Sequence, residues 1–467
     1  MNKSIDCEML RRYDRAGPRY TSYPTVPQFH SDFGEEEFYA CAQPTPRPHA
    51  GASMRPLSLY VHVPFCRSPC FYCGCNRVIT RNGTVGERYV ERVLAEAQRV
   101  RERLGRSGPV LQFHLGGGTP NSLSGSSLER LVHGLGEHFA FNSRVDRDYS
   151  MELDPRSLPE KPEDYAARLV RLGFNRVSLG VQDFDEQVQL AVNRVQSAEQ
   201  TLDLVDACRD QGIQSVNVDL IYGLPKQSLE GFRRTLRTVL AARPDRMAVY
   251  GYAHMPAAFR AQRRIHESDL PDSAGRLALL RLAIEELTAS GYRHIGMDHF
   301  ALPTDALVLA QERGELQRNF MGYTTHGGCD LLGFGVSAIS RLGDCYGQNL
   351  KDLPSWEHAV DSRRSPLWRG LALSADDRVR ASIIEQLMCH GQIDLFTTER
   401  EYGIDFQKYF GDALARLEPL IADGLVTRTG QAITVTETGR LLLRNVAMCF
   451  DRYVSAAAES ASASRTI

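Results

Sequence analysis

LSLYVHVPFCRSPCFYCGC, residues 57–75, joins a β-like run to four cysteines crowded into ten residues. The run alternates. Leu59, Val61 and Val63 point one way, and Ser58, Tyr60 and His62 point the other, which is the period of a strand with one apolar face. Cys66, Cys70 and Cys73 then follow at the spacing C-x3-C-x2-C, and Cys75 adds C-x-C. The chain has 11 cysteines, an odd and scattered set that does not suit a disulfide framework, so the cluster reads as metal or redox chemistry. Zinc is the plainer candidate, but structural zinc commonly takes two separated ligand pairs, and no second pair is present. Three thiolates on one short loop suit a 4Fe–4S cluster whose fourth iron is left for a ligand other than protein.

Five more β-like runs follow, at 110–116, 149–154, 175–181, 215–221 and 246–252, with helical patterns between them. Over 87–104, Val90, Val93, Leu94, Ala97, Val100 and Leu104 recur at helix spacing. Six strand–helix units in a row predict a parallel sheet with right-handed crossovers. Strands buried on both faces should be near-continuous apolar runs. These are not. Gln112, His114 and Gly116 oppose Leu111, Phe113 and Leu115, and Ser150, Glu152 and Asp154 oppose Met151 and Leu153. Ser178, Gly180 and Gln182 oppose Val177, Leu179 and Val181, while Asn217 and Asp219 oppose Val216, Val218 and Leu220. A polar face of that extent is costly inside a closed, filled barrel. It predicts an incomplete (β/α)6 barrel whose inner face holds polar ligands. An open antiparallel sheet with a wet face is the competing reading, and the intervening helices argue against it.

Residues 1–56 form an N-terminal covering segment and a Pro/Ala/Gly-rich linker, and 57–365 hold the barrel and its extension. Residues 366–453 read as a mainly helical, winged-helix-like domain, with helices at 376–390 and 409–423 and a hairpin over 425–440. Over 375–450, 11 Asp/Glu outweigh 8 Lys/Arg, which argues against DNA binding. Residues 454–467 read as a disordered tail. The formal net charge of −2 offers no attraction to nucleic acid or to an anionic membrane. The first residues carry no secretory h-region and no run reaches a membrane span, so the expectation is a cytoplasmic protein with reduced thiols. No heptad or interface pattern is evident, and a monomer is expected.

The cysteine spacing after strand one, with LGGGTP (115–120) after strand two, resembles the radical S-adenosylmethionine (SAM) superfamily. Within it, GPRYTSYPT, YVHVPFC, CGCN, MELDP, GFNRVSLGVQDF, VNVDLIYGLPKQ, GMDHF, GYTT and NVAMCFD are similar to the oxygen-independent coproporphyrinogen III oxidase family, from about residue 10 to 453. Cys75 and GPRYTSYPT favour that family over its heme-chaperone relatives. The resemblance implies that Cys66, Cys70 and Cys73 hold one 4Fe–4S cluster, and that Cys75 is tied to activity without being a ligand. It implies two bound SAM molecules. Tyr60, Gly117, Glu152 and Ile339 match the first site. Tyr72, Gly118, Thr119, Gln182, Arg194, Asp219 and Ala253 match the second. An external one-electron reductant would feed the cluster, and a 5′-deoxyadenosyl radical from SAM would act on the propionates of coproporphyrinogen III.

Two departures stand out. Phe71-Tyr72 reverses the family's frequent Tyr-Phe order, and Met321 replaces a frequent Gln near the SAM sites. The substrate's carboxylates call for arginines at the mouth, and Arg19 is a candidate. Another radical SAM activity on a tetrapyrrole and a heme-binding chaperone are the alternatives.

Overall fold

A computed structural model describes residues 9, 12–42, 54–454 and 465–466. Most of the expected tail, and residues 43–53 of the expected linker, lie outside the described residues.

Twelve strands form one sheet: β1 (Leu57–Val63), β2 (Val110–Gly117), β3 (Asp148–Leu153), β4 (Arg176–Gln182), β5 (Ser215–Tyr222), β6 (Arg246–Gly251), β7 (Arg293–Gly296), β8 (His299–Ala301), β9 (Asp330–Phe334), β10 (Ile339–Leu342), β11 (Cys345–Asn349) and β12 (Leu367–Ala372). Their order is β12-β11-β10-β9-β1-β2-β3-β4-β5-β6-β8-β7. From β1 to β6 every pair is parallel and sequential, as the six strand–helix units require. β9 adds a further parallel strand beside β1. Antiparallel strands then extend both flanks, and the sheet stays open, with β12 and β7 as its edges. β12 continues the sheet past residue 365, the expected end of the barrel.

The crossover helices begin where side chains cap them. The Asn82 side chain accepts from Thr84 N–H at the start of α1 (Gly83–Leu104). Ser124 does the same for α2 (Gly125–His138), Ser197 for α4 (Ala198–Asp210) and Ser228 for α5 (Leu229–Ala242), while α3 (Pro162–Arg171) opens on a proline instead. Each helix turns its apolar stripe to the sheet. Leu59, Val61 and Val63 are fully buried in one core with Val90, Val93 and Ala97 of α1. Burial of that kind stabilises by about 1.5–3 kcal/mol per side chain.

The polar face is graded. At its deep end Ser58 Oγ donates to Gln112 Oε1 (2.9 Å), and Gln112 Nε2 donates to Thr324 Oγ1 (3.2 Å). Ser58 and Gln112 are thereby buried without an unsatisfied group. Towards the carboxyl ends of the strands, Tyr60, Glu152, Gln182 and Asp219 are half-buried.

The C-terminal part packs α6 (Ala375–His390) and a helix at Gly411–Ala422 against a small sheet ordered Gln392–Asp394, Ala432–Val435, Val426–Arg428. Its core takes in Tyr13, Tyr20 and Tyr23 of the N-terminal segment. Arg444 donates to Pro18 O (3.0 Å), to Gly17 O and to Arg465 O (2.7 Å), so the two ends of the chain share one residue. Among the described residues Cys41 and Cys345 are bonded, a link that the expectation of reduced thiols did not include.

Candidate active site at the mouth of the open sheet

The cysteine loop leaves β1 at its carboxyl end, where parallel α/β folds gather their ligands. It is held from several sides. Arg77 donates to Cys73 O (2.9 Å) and Cys70 O (3.2 Å). Gln262 Nε2 bridges Tyr72 O (2.8 Å) and Ala253 O (3.1 Å), which ties the loop to the end of β6. Cys66 Sγ lies 3.3 Å from Thr119 Oγ1, and Arg156 and Arg194 approach Cys70 Sγ at 3.5 and 3.6 Å. Cys75 is exposed, and its N–H donates to Cys73 Sγ (3.4 Å).

The glycine segment is shaped by close approach. A Cβ on Gly118 would stand 2.7 Å from Pro64 C and O, which cannot move aside as a side chain could. Gly118 N–H also donates to Val63 O (2.8 Å), locking the β2 turn onto β1. Gly117 takes φ +114° and donates to Glu152 Oε2 (3.0 Å).

Across the mouth, Glu152 and Asp219 place two carboxylates on one lining. Asp219 accepts from Ser178 Oγ (2.9 Å) and Asn217 Nδ2 (2.8 Å). Burial and the charge of Glu152 still push its pKa up to about 6. Two acids so placed favour a cationic ligand. The Tyr60 hydroxyl is shielded from water, and its pKa rises well above the ordinary value for the same two reasons. Its hydroxyl meets His62 Nδ1 at 3.0 Å, and its ring stacks on His114 at 5.9 Å. Gln182 ends β4 at φ +69°, where the pairing with β5 slips between Gly180 and Gln182. Strain of this kind in a non-glycine residue concentrates at functional sites.

Arg194 is the hinge of the site. Its guanidinium donates to Gly180 O (2.5 Å) and Asp154 Oδ2 (3.2 Å), while its Nε is buried without a partner. Asp154 also pairs with Arg156 at 2.7 Å. Burial disfavours the Asp154 carboxylate, but the Arg194 and Arg156 charges outweigh it and hold its pKa down at about 2.

These features fit the implied groups. Three thiols on one loop, with guanidinium groups beside them, suit thiolate donors. Among the described residues the thiols are grouped by the loop and are not drawn in to metal-binding distances of one point. The orphaned Arg194 Nε suits a carboxylate, and Glu152 and Asp219 suit an ammonium or sulfonium.

Ile339 opens β10 and packs with Phe29 and Tyr346, to one side of that cradle. Met321 stands in the turn between Gln317–Asn319 and Gly322–Thr324, and its N–H donates to Asn319 Oδ1 (2.8 Å). Arg19 pairs with Asp298 at 3.0 Å and lies 5.8 Å from the Tyr250 ring centre. Sequence placed His62 and Asp154 on the polar strand face without giving them a role, and did not take up Arg77 or the pairing of Asp154 with Arg156. The signal for that pair was there: DPR continues β3 at the strand end where other strands carry site residues.

The sequence profile of the radical SAM superfamily matches residues 60–239. That of the HemN C-terminal domain matches residues 373–442. An oxygen-independent coproporphyrinogen III oxidase of Pseudomonas aeruginosa is 48% identical over 96% of this chain and 96% of its own. The chain belongs to the oxygen-independent coproporphyrinogen III oxidase family. A family member of Escherichia coli is 45% identical over 99% of this chain and 98% of its own. The solved structure of coproporphyrinogen III oxidase (HemN) from Escherichia coli, described as a radical SAM enzyme, superimposes at a TM-score of 0.90. It covers 97% of this chain and 100% of that one. The chain is therefore a radical SAM oxidoreductase, with a 4Fe–4S cluster and SAM as its cofactors.

Proposed function

We propose that this enzyme converts two propionate side chains of coproporphyrinogen III to vinyl groups without oxygen, giving protoporphyrinogen IX for heme biosynthesis. The observation that carries the reading is similarity along the whole chain, N-terminal segment and C-terminal domain included, to proteins named for that reaction. We assign Cys66, Cys70 and Cys73 as cluster ligands. Tyr60, Gly117, Glu152 and Ile339 are assigned to the SAM beside the cluster. Tyr72, Gly118, Thr119, Gln182, Arg194, Asp219 and Ala253 are assigned to a second SAM. When bound, cluster and SAM supply the one-electron chemistry that removes a hydrogen atom from the carbon β to the pyrrole ring's propionate carboxyl.

The chain's own residues orient and shield. Arg194 Nε is available to a carboxylate, and Glu152 and Asp219 to positive charge. Gly117 and Gly118 admit a ligand close to backbone, and Met321 offers no amide to it. Cys75 sits beside the ligand loop, where it can touch a bound group without holding iron. The N-terminal segment and the domain at 366–453 are read as the cover that keeps water from the mouth. An external one-electron donor, a cytoplasmic setting, a monomeric state and independence from nucleic acid and membrane complete the reading. The near-neutral charge supports the last of these.

The test is anaerobic. The chain is reconstituted with iron and sulfide, and SAM, a reductant and coproporphyrinogen III are added. Loss of two CO2 and four hydrogens from the tetrapyrrole is expected, and Cys70→Ser should abolish it together with the cluster's absorbance. SAM cleavage with the tetrapyrrole unchanged would reject this substrate.

A further inference from the structure

The three thiols assigned to the cluster differ in their partners. Cys66 Sγ meets the Thr119 hydroxyl (3.3 Å), and Cys73 Sγ accepts from Cys75 N–H (3.4 Å). Cys70 Sγ has charged neighbours instead: Arg156 Nη2 at 3.5 Å and Arg194 Nη1 at 3.6 Å. Arg194 serves the second SAM in the assignment above, and Arg156 is not part of that assignment.

Arg156 is fixed in place by its own turn, Pro155–Ser157, which follows β3 directly. Buried Asn121 clamps the backbone where that turn begins, donating to Asp154 O and accepting from Asp154 N–H, both at 2.9 Å. The Asp154 carboxylate then accepts three times from Arg156: from its backbone N–H (3.0 Å), from Nε (3.0 Å) and from Nη2 (2.7 Å). A two-pronged grip of this kind fixes the plane of the guanidinium as well as its position. The Nη2 that holds the carboxylate is the one that faces Cys70 Sγ. The Arg156 side chain is 19% exposed, so solvent screens its charge only in part. Arginine keeps that charge at any working pH. Arg194 also reaches Asp154, at 3.2 Å. Two guanidinium charges against one carboxylate leave a net positive charge beside Cys70.

We propose that Arg156 is a positioning residue that acts on the cluster through Cys70 and raises its reduction potential. This rests on the assignment of Cys70 as a cluster ligand. One electron passes from the external donor to the cluster, which gains one negative charge. Positive charge and hydrogen bonds at a ligand sulfur stabilise the more negative form. The experiment compares wild type, Arg156→Gln, Arg156→Lys and Asp154→Asn, all full-length, reconstituted anaerobically with iron and sulfide and kept free of SAM. Each is titrated with dithionite in the presence of redox mediators, and the reduced cluster is followed by electron paramagnetic resonance. Iron content and Tm report loading and fold. Arg156→Gln is expected to disfavour the reduced form about tenfold, a fall of about 59 mV for a one-electron couple. Arg156→Lys should recover part of that. Asp154→Asn removes the opposing charge and should shift the equilibrium the other way. A purely structural role would move Tm and iron content without giving potential shifts of opposite sign. An unchanged potential in a loaded Arg156→Gln would overturn the inference while leaving the ligand assignment standing. Should that variant fail to load, an unchanged or lowered potential in Asp154→Asn would overturn it equally. A wild type that takes up no cluster would overturn the ligand assignment, and this inference with it.

Discussion

At the residue scale, the polar strand face was legible because a period of 2 needs no tertiary information. Tyr60, Glu152, Gln182 and Asp219 could be grouped before any fold was known, and they stand half-buried on strands of one sheet. Asp154–Arg156–Arg194 was less legible. Arg194 comes from a loop 40 residues beyond Asp154, and only folding brings them to Cys70. The glycines give a sharp contrast. A methyl on Gly118 would meet the Pro64 carbonyl at 2.7 Å, so Gly118→Ala is expected to destabilise by about 1–3 kcal/mol. Gly136, exposed on α2 with nothing within 4 Å of its Cβ position, should respond the other way. Gly136→Ala is expected to stabilise by about 0.5–1 kcal/mol. Chemical denaturation of both variants beside wild type checks the pair.

At the element scale, α1 is fastened to the sheet extension by one buried acid. Glu96 accepts from Gly335 N–H (2.8 Å) and Asn349 Nδ2 (2.6 Å). Burial pushes its pKa up from 4.5 to about 8, against the pull of those hydrogen bonds. Between these two values the folded chain keeps a proton that the unfolded chain has lost. This contribution to stability is therefore complete below pH 4.5 and is lost as pH rises towards 8, by about 5 kcal/mol in all. Glu96→Gln should remove that slope, so that the variant's Tm changes less than the wild type's between pH 6 and 9. Parallel slopes would contradict the assignment. Sequence offered Glu96 only as one polar position on an amphipathic helix. Its partners lie about 240 and 250 residues away, beyond the reach of periodicity. The six parallel strands and their helices were legible, whereas the antiparallel flanks were not, because short strands such as β8 and β10 carry too few residues to show alternation.

At the scale of the whole molecule, the two chain ends close over the same domain. Tyr13, Tyr20 and Tyr23 enter the C-terminal core, and Asn445 Nδ2 donates to Tyr13 O (2.8 Å). Arg444→Met would leave the carbonyls of Gly17, Pro18 and Arg465 without this donor. The expected cost is about 3 kcal/mol, with the N-terminal segment becoming sensitive to limited proteolysis while the β1–β6 region stays resistant. The winged-helix-like order of the C-terminal part was legible from its hairpin and helices. Its closure by the N-terminal segment was not, since nothing in GPRYTSYPT names a partner more than 400 residues distant.

The central claim is that the mouth of this open sheet directs radical chemistry onto a propionate. Coproporphyrinogen III deuterated at the propionate carbons attached to the pyrrole rings tests it most directly, with 5′-deoxyadenosine and tetrapyrrole both analysed by mass spectrometry. The account predicts one deuterium in 5′-deoxyadenosine for each vinyl group formed, and neither product from Cys70→Ser. Vinyl groups formed beside unlabelled 5′-deoxyadenosine, or 5′-deoxyadenosine formed with the propionates intact, would contradict it.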